Sequence, residues 1–175
     1  MSVVIHHPHH SPVHIRPALP GDLGAVLEIE RASFAHAGER FGEHTTRTLI
    51  RSTRAIAAVA ESDGNLLGWG AGFGSLRKSE PHGTGEELES DTPWGRVYAL
   101  AIRPEARGRK LGEKLLHYLI GELRARGARR IFLEVRTDNH AAVKLYEKVG
   151  FVVCQPLAHY YGQGIPGQRM RLDVK

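Results

Sequence analysis

The chain has 175 residues, an ordinary apolar fraction for a globular protein, a formal net charge of +5 and a single cysteine. A length of this kind is one domain by default and buries roughly two-thirds of its unfolded surface, enough for a real core. There is no apolar run of about 18 residues to cross a bilayer, no apolar stretch of the signal-peptide kind in residues 1–12, and no second thiol for an internal disulfide, so a cytoplasmic protein without a membrane partner is the expectation.

Residues 1–12 are rich in histidine and read as a disordered tail ahead of a domain at 13–175. His6, His7, His9 and His10 have no Cys/His constellation elsewhere to join, and no metal site is expected. Residues 13–16 alternate as a short strand, and residues 21–37 read as an amphipathic helix, with Leu23, Val26, Leu27 and Phe34 near one face. Glu30 lies on that same stripe: it either reaches the edge of a cleft or snorkels to the surface. A shorter helix is expected at 44–52. Residues 55–61 and 66–73 are strands around a Ser-Asp-Gly-Asn turn, a strong hairpin signal. An acidic loop at 77–94 follows, long enough to suspect a role.

Residues 97–102 form a buried strand, 110–126 a leucine-striped helix closed by Gly127, 130–135 a strand, and 141–149 a helix closed by Gly150. Strands at 151–154 and 168–174 complete the chain. The pattern implies a single α/β domain with a mixed sheet covered by helices. Cys154 sits in an apolar stretch and is expected to be a small buried hydrophobe. Ten Lys/Arg against four Asp/Glu lie between Arg103 and Arg136, a density that suits a polyanion or a phosphorylated cofactor. Arg124, Arg126, Arg129 and Arg130 read as a solvated helix face. No interleaved aromatic and basic pattern of a base-stacking surface is present, so no nucleic-acid partner is expected.

Three segments carry chemistry. Arg107, Gly108, Arg109, Lys110, Leu111 and Gly112 stand between a buried strand and a helix, where unpaired backbone N–H groups and the helix dipole make an anion site. The spacing fits neither a Walker A loop nor a dinucleotide fingerprint. Glu134 is a carboxylate inside an apolar strand, either a general base or one half of an ion pair with a neighbour such as Arg136. Tyr146 shares a helix stripe with Ala142, Leu145 and Val149 and points inward, as a core aromatic or as a proton donor at its tip.

Strand, Arg-Gly-x-x-Leu-Gly, helix, then Leu-Glu-Val-Arg-x-x-Asn-x-x-Ala-x-x-Leu-Tyr-x-x-x-Gly-Phe resembles the acetyl-CoA-binding half of a GNAT N-acetyltransferase. The resemblance is dense from 97 to 151 and greatest to the ribosomal-protein-alanine (protein N-terminal) acetyltransferase group. It implies a mostly antiparallel sheet flanked by helices, in which the strand at 97–102 splays from the strand after the last helix or from the one at 130–135. Acetyl-CoA as co-substrate would lie in that V, held by Leu100, Ala101, Ile102, the loop 107–112, Asn139 and Tyr146. The Ile102 N–H would face the thioester carbonyl. The resemblance further implies Glu134 as base, Tyr146 as acid, Tyr160 and Tyr161 flanking the acceptor, and no metal. The acceptor would be a peptide or protein α-amine, or alternatively a small-molecule amine, in a monomer or homodimer; a non-catalytic acyl-CoA-binding module is the remaining alternative. Where the family's loop carries a glycine this chain has Lys110, which is expected to confine the backbone to ordinary helical angles.

Overall fold

The computed structural model describes residues 12–34, 40–75 and 92–175. The His-rich segment and nearly all of the acidic loop lie outside these. The strands are β1 (His14–Pro17), β2 (Ala55–Ser62), β3 (Asn65–Ser75), β4 (Trp94–Ile102), β5 (Arg130–Arg136), β6 (Val152–Leu157) and β7 (Gly167–Asp173). They form one sheet in the order β1-β2-β3-β4-β5-β7-β6. Every neighbouring pair is antiparallel except β4 with β5. The helices are α1 (Leu23–Ser33), α2 (Glu43–Arg51), α3 (Leu111–Ala125) and α4 (His140–Val149). None of the described helices is long and apolar enough to cross a membrane.

The β2–β3 hairpin closes through Asp63 and Gly64, both at positive φ, +50° and +73°, as a two-residue type I′ turn requires. The small residues beyond it seat α3. A Cβ added at Gly70 would stand 2.9 Å from Leu119 Cδ1, and one at Gly95 would stand 2.9 Å from Leu123 Cδ2. Leu115, Leu119 and Leu123, one helix turn apart, are fully buried against this glycine track. Burial of that kind contributes roughly 1.5–3 kcal/mol per leucine. The opposite face of the sheet takes Val26 and Ile29 of α1 against Val59, Trp69, Ala71, Ala99 and Ala101.

Several expectations shift. The first helix is shorter than 21–37: a 3₁₀ turn at Pro20–Asp22 precedes α1, and Ser33 ends it. The strand expected at 151–154 is Val152–Leu157, because Phe151 is drawn into the core beneath the helix end, 2% exposed. Cys154 is not buried. It lies exposed on the edge strand β6, with its sulfur 3.5 Å from the Arg169 carbonyl. Arg126 is exposed, as expected, and its guanidinium also donates to the carbonyls of Arg54 and Ala55 at 2.8 and 3.3 Å, tying the end of α3 to the start of β2.

Candidate active site

The parallel pairing of β4 with β5 lasts only three residue pairs, Trp94 with Arg130, Gly95 with Ile131 and Arg96 with Phe132. Beyond Arg96 the strands part, so the V opens between β4 and β5. The hydrogen-bond phase of β4 then decides what faces the gap. The Arg103 N–H donates to the Leu67 carbonyl at 2.9 Å. Hydrogen-bonded residues alternate along an antiparallel pair. Ala101 and Ala99 therefore turn their backbone groups to β3, and Ile102 and Leu100 turn theirs to the gap. Consistent with that phase, the Ser33 hydroxyl donates to the Ile102 carbonyl at 3.0 Å. The Ile102 N–H and the N–H and C=O of Leu100 are left facing the opening.

After β4 a 3₁₀ turn at Pro104–Ala106 leads into Arg107 and Gly108, the latter at φ +76°. Lys110 overturns its expectation: it sits at φ 59°, ψ 18°, in the left-handed region. A lysine has been placed where a glycine is comfortable, because the chain must reverse here to start α3 with its first amides turned outward. Lys110 makes no side-chain cap to those amides. The result is a cleft of about 690 Å³, walled by Leu100, Ala101, Ile102, Arg107, Gly108, Lys110, Leu111 and Gly112 on one side and by Asn139, Ala142, Leu145 and Tyr146 on the other. Of the residues expected to hold a cofactor, Arg109 is absent from this wall, and Ala101 lines it although its backbone groups turn to β3.

Helix α4 delivers Tyr146. Asn139 caps its N-terminus, accepting the Ala142 N–H at 3.2 Å, and Gly150 ends it at φ +106°. Tyr146 lies on the buried stripe, edge-to-face with Phe151 at 6.0 Å between centroids. Burial pushes its hydroxyl up to about 12, so it holds its proton throughout the neutral range. It lines the cleft just described and also a second cavity of about 480 Å³ on the other side of the splay.

That second cavity gathers Tyr160, Tyr161, Arg96, Glu134 and Glu30. Tyr160 and Tyr161 meet edge-to-face at 5.0 Å. Glu134 has a side chain only 4% exposed, and both of its oxygens are engaged: Oε2 with Arg96 at 2.6 Å and Oε1 with Arg169 Nε at 2.9 Å. Its ion-pair partner is therefore not Arg136, which turns to Asp138 instead. Arg169 stands directly across the β5–β7 ladder from Glu134. Arg96 also donates to the Tyr160 hydroxyl at 2.7 Å and lies 4.6 Å over the Tyr98 ring. Glu30 is 1% exposed, not a snorkelling surface carboxylate. It accepts the Trp69 indole N–H at 2.8 Å and the Phe41 backbone N–H at 2.9 Å. Burial holds its carboxyl above the usual carboxylate range, against those two hydrogen bonds and the attraction of Arg40. Arg96, Arg169, Trp69 and Phe41 escaped the sequence reading. Only the Arg169 pairing had a signal, as a charge placed opposite Glu134 once the two strands are laid antiparallel.

The model of the acetyltransferase (GNAT) family matches residues 23–151. The mycothiol acetyltransferase of Streptomyces coelicolor is 34% identical over 147 residues, which is 80% of this chain and 43% of that protein. The chain thus spans under half the length of such relatives. A putative ribosomal protein bS18-alanine N-acetyltransferase of Bacillus subtilis is 32% identical over 129 residues, 74% of each chain. Among solved structures, Arabidopsis thaliana NAA60 in complex with acetyl-CoA superposes with a TM-score of 0.79 at 17% identity, over 93% of this chain and 99% of that one.

Proposed function

The chain belongs to the acetyltransferase (GNAT) family, and we propose that it moves an acetyl group from acetyl-CoA to a primary amine, preferentially the α-amine of a peptide or protein N-terminus. The observation that carries this is the meeting of the two cavities, which share Phe34, Leu100, Arg136, Asn139, Ala142 and Tyr146 as a common wall. A donor entering by one face and an acceptor by the other would come together at the Tyr146 hydroxyl.

The cleft suits acetyl-CoA by the chemistry of its walls. The outward amides at the start of α3 and the cationic Arg107 and Lys110 match a pyrophosphate. The open backbone groups of Leu100 and Ile102 match the amide-bearing arm. The co-substrate, when bound, supplies the activated acyl group. The Ile102 N–H would oppose the negative charge that builds on the acyl oxygen. Tyr146, protonated at neutral pH, is the acid that gives its proton to the departing sulfur. Of the carboxylates on the acceptor side, Glu134 is engaged at both oxygens, which suits it to fixing Arg96 and Tyr160 in place. Tyr160 and Tyr161 would flank the acceptor chain.

An α-amine with a pKa near 8 is far easier to deprotonate at neutral pH than a lysine at about 10.4. The Bacillus subtilis relative matches over most of both chains and is named a putative ribosomal protein bS18-alanine N-acetyltransferase. A small-molecule amine is the second reading, favoured by the mycothiol acetyltransferases, whose match takes in 80% of this chain. The test is a competition at neutral pH among a peptide with a free N-terminus, the same peptide blocked there but bearing a lysine, and a panel of small amines with spermidine. Acetylation confined to the free N-terminus supports the first reading, and preferential turnover of a small amine replaces it with the second.

A further inference from the structure

We propose that Glu30, near the C-terminal end of α1, is the carboxylate that takes the proton from the acceptor's ammonium group; the proposal rests on the acetyl-transfer reading above.

Two of the described carboxylates, Glu30 and Glu134, line the acceptor cavity, and their surroundings differ in kind. Glu134 is held by two guanidinium groups, one on each oxygen. Glu30 is bound by two neutral donors, the Trp69 indole and the Phe41 amide, one on each oxygen. Each oxygen keeps a further lone pair. The two donors come from β3 and from the chain between α1 and α2, so the carboxylate is fixed in orientation by elements other than its own. The cation nearest in effect is Arg40, whose Nε donates to the Phe34 carbonyl at 2.8 Å. The other titratable groups on the cavity wall are the Arg96–Glu134 pair, Arg136 beside Asp138, and Tyr98, Tyr146, Tyr160 and Tyr161. Of the two described carboxylates on this wall, Glu134 is held at both oxygens by guanidinium groups and Glu30 by neutral donors, so an entering ammonium finds less competing positive charge at Glu30. Burial raises the proton affinity of Glu30 toward the working pH, where a general base is most effective.

The step balances without another reactant. An N–H bond of the ammonium breaks and an O–H bond forms on Glu30, leaving a neutral amine with a lone pair. That pair forms the N–C bond to the acetyl carbon as the C–S bond breaks. The sulfur takes the Tyr146 proton, Tyr146 is restored by the second proton leaving nitrogen, and Glu30 returns its proton to solvent.

The test compares Glu30→Gln and Glu134→Gln in the full chain, alongside wild type, for thermal stability, acetyl-CoA affinity and the pH profile of kcat/KM with a free-N-terminus peptide. For Glu30→Gln the expectation is a fall in kcat/KM of about 10²-fold or more at neutral pH, with acetyl-CoA affinity retained. The loss should shrink as pH approaches the amine's own pKa, since solvent then supplies free amine. In wild type the indole Nε1–H resonance of Trp69, assigned with Trp69→Phe, should titrate with the same midpoint as the acid limb of that profile. A loss of equal proportion at every pH assigns Glu30 a structural role and overturns the proposal, as does an acid limb that survives Glu30→Gln and vanishes in Glu134→Gln. No turnover by wild type with any acceptor overturns the acetyl-transfer reading itself and this proposal with it, whereas full activity in Glu30→Gln overturns this proposal alone.

Discussion

On the proposed donor side of Tyr146 the wall is mostly backbone: the gap-facing groups of Leu100 and Ile102, the reversal at Gly108 and Lys110, and the start of α3. On the acceptor side it is side chains held by one another: Arg96, Arg169 and Tyr160 around Glu134, and Trp69 at Glu30. The first kind of wall follows from how strands and helices end, and under the proposed function it would present amides to phosphate whatever the nearby side chains are. The second kind depends on long-range pairing, where a buried charge is costly unless its partners are in place. Substitutions on the donor side should therefore act weakly and through the backbone, and those on the acceptor side strongly and through charge.

Tyr146, common to both sides, carries the largest expected effect. Tyr146→Phe keeps the ring against Phe151 and removes the hydroxyl. Positioned acid catalysis is worth about 10²- to 10⁴-fold, so kcat should fall by that range with acetyl-CoA affinity kept. An unchanged single-turnover rate would make Tyr146 a packing residue. The same variant has a pH signature. The hydroxyl rises from 10.0 to about 12 on folding, so between those values the folded chain holds a proton that the unfolded chain has lost. Wild-type stability should fall across that window, and the phenylalanine variant should lack this component of the fall.

The acceptor-side network comes next. Arg169→Met leaves Glu134 with Arg96 alone, and Arg96→Met leaves it with Arg169. Breaking a buried pair costs about 3–5 kcal/mol, and the remaining arginine should hold each single variant to the lower part of that range. The triple change Arg96→Met, Glu134→Leu, Arg169→Met should cost less than either single one, because no charge is stranded. Urea denaturation of the set decides it. A triple variant less stable than both singles would mean the network contributes more than compensation among its own members.

On the donor side, Gly68→Ala would place a Cβ 2.9 Å from the Ala101 carbonyl and 2.4 Å from Ile102 Cδ1. The side-chain contact can relax, but the backbone one must move β4. A cost of about 1–3 kcal/mol is expected, with weaker acetyl-CoA binding and little change in acceptor KM. Equal losses for both substrates would erase the distinction between the two walls. The smallest effect belongs to Lys110→Gly. Relief of the left-handed conformation is worth roughly 1–2 kcal/mol, and glycine's extra unfolded freedom takes back about half of it. A rise in Tm should follow, and calorimetry with CoA would show what the lost ammonium had contributed.

The division between the two walls is also a division in what the sequence could tell. The hairpin at Asp63-Gly64, the leucine stripe of α3, the inward position of Tyr146 and the helix end at Gly150 were all readable, because each depends on residues within a few positions of one another. Family membership was readable for the same reason: its motif is a continuous run from β4 to Phe151. Local logic failed at Lys110, where the need to turn the α3 amides outward overrode the lysine's own backbone preference. It failed at Cys154 because an apolar run does not reveal that its strand lies at the edge of the sheet. It could not find the environment of either carboxylate. Glu30 meets Trp69 across 39 positions and Glu134 meets Arg169 across 35; the packing of α1 on the sheet brings the first pair together, and the pairing of β5 with β7 the second. Sequence thus determined which groups can carry charge and protons. Tertiary structure decided which of those charges are neutralised, because that depends on distance and burial between residues far apart along the chain.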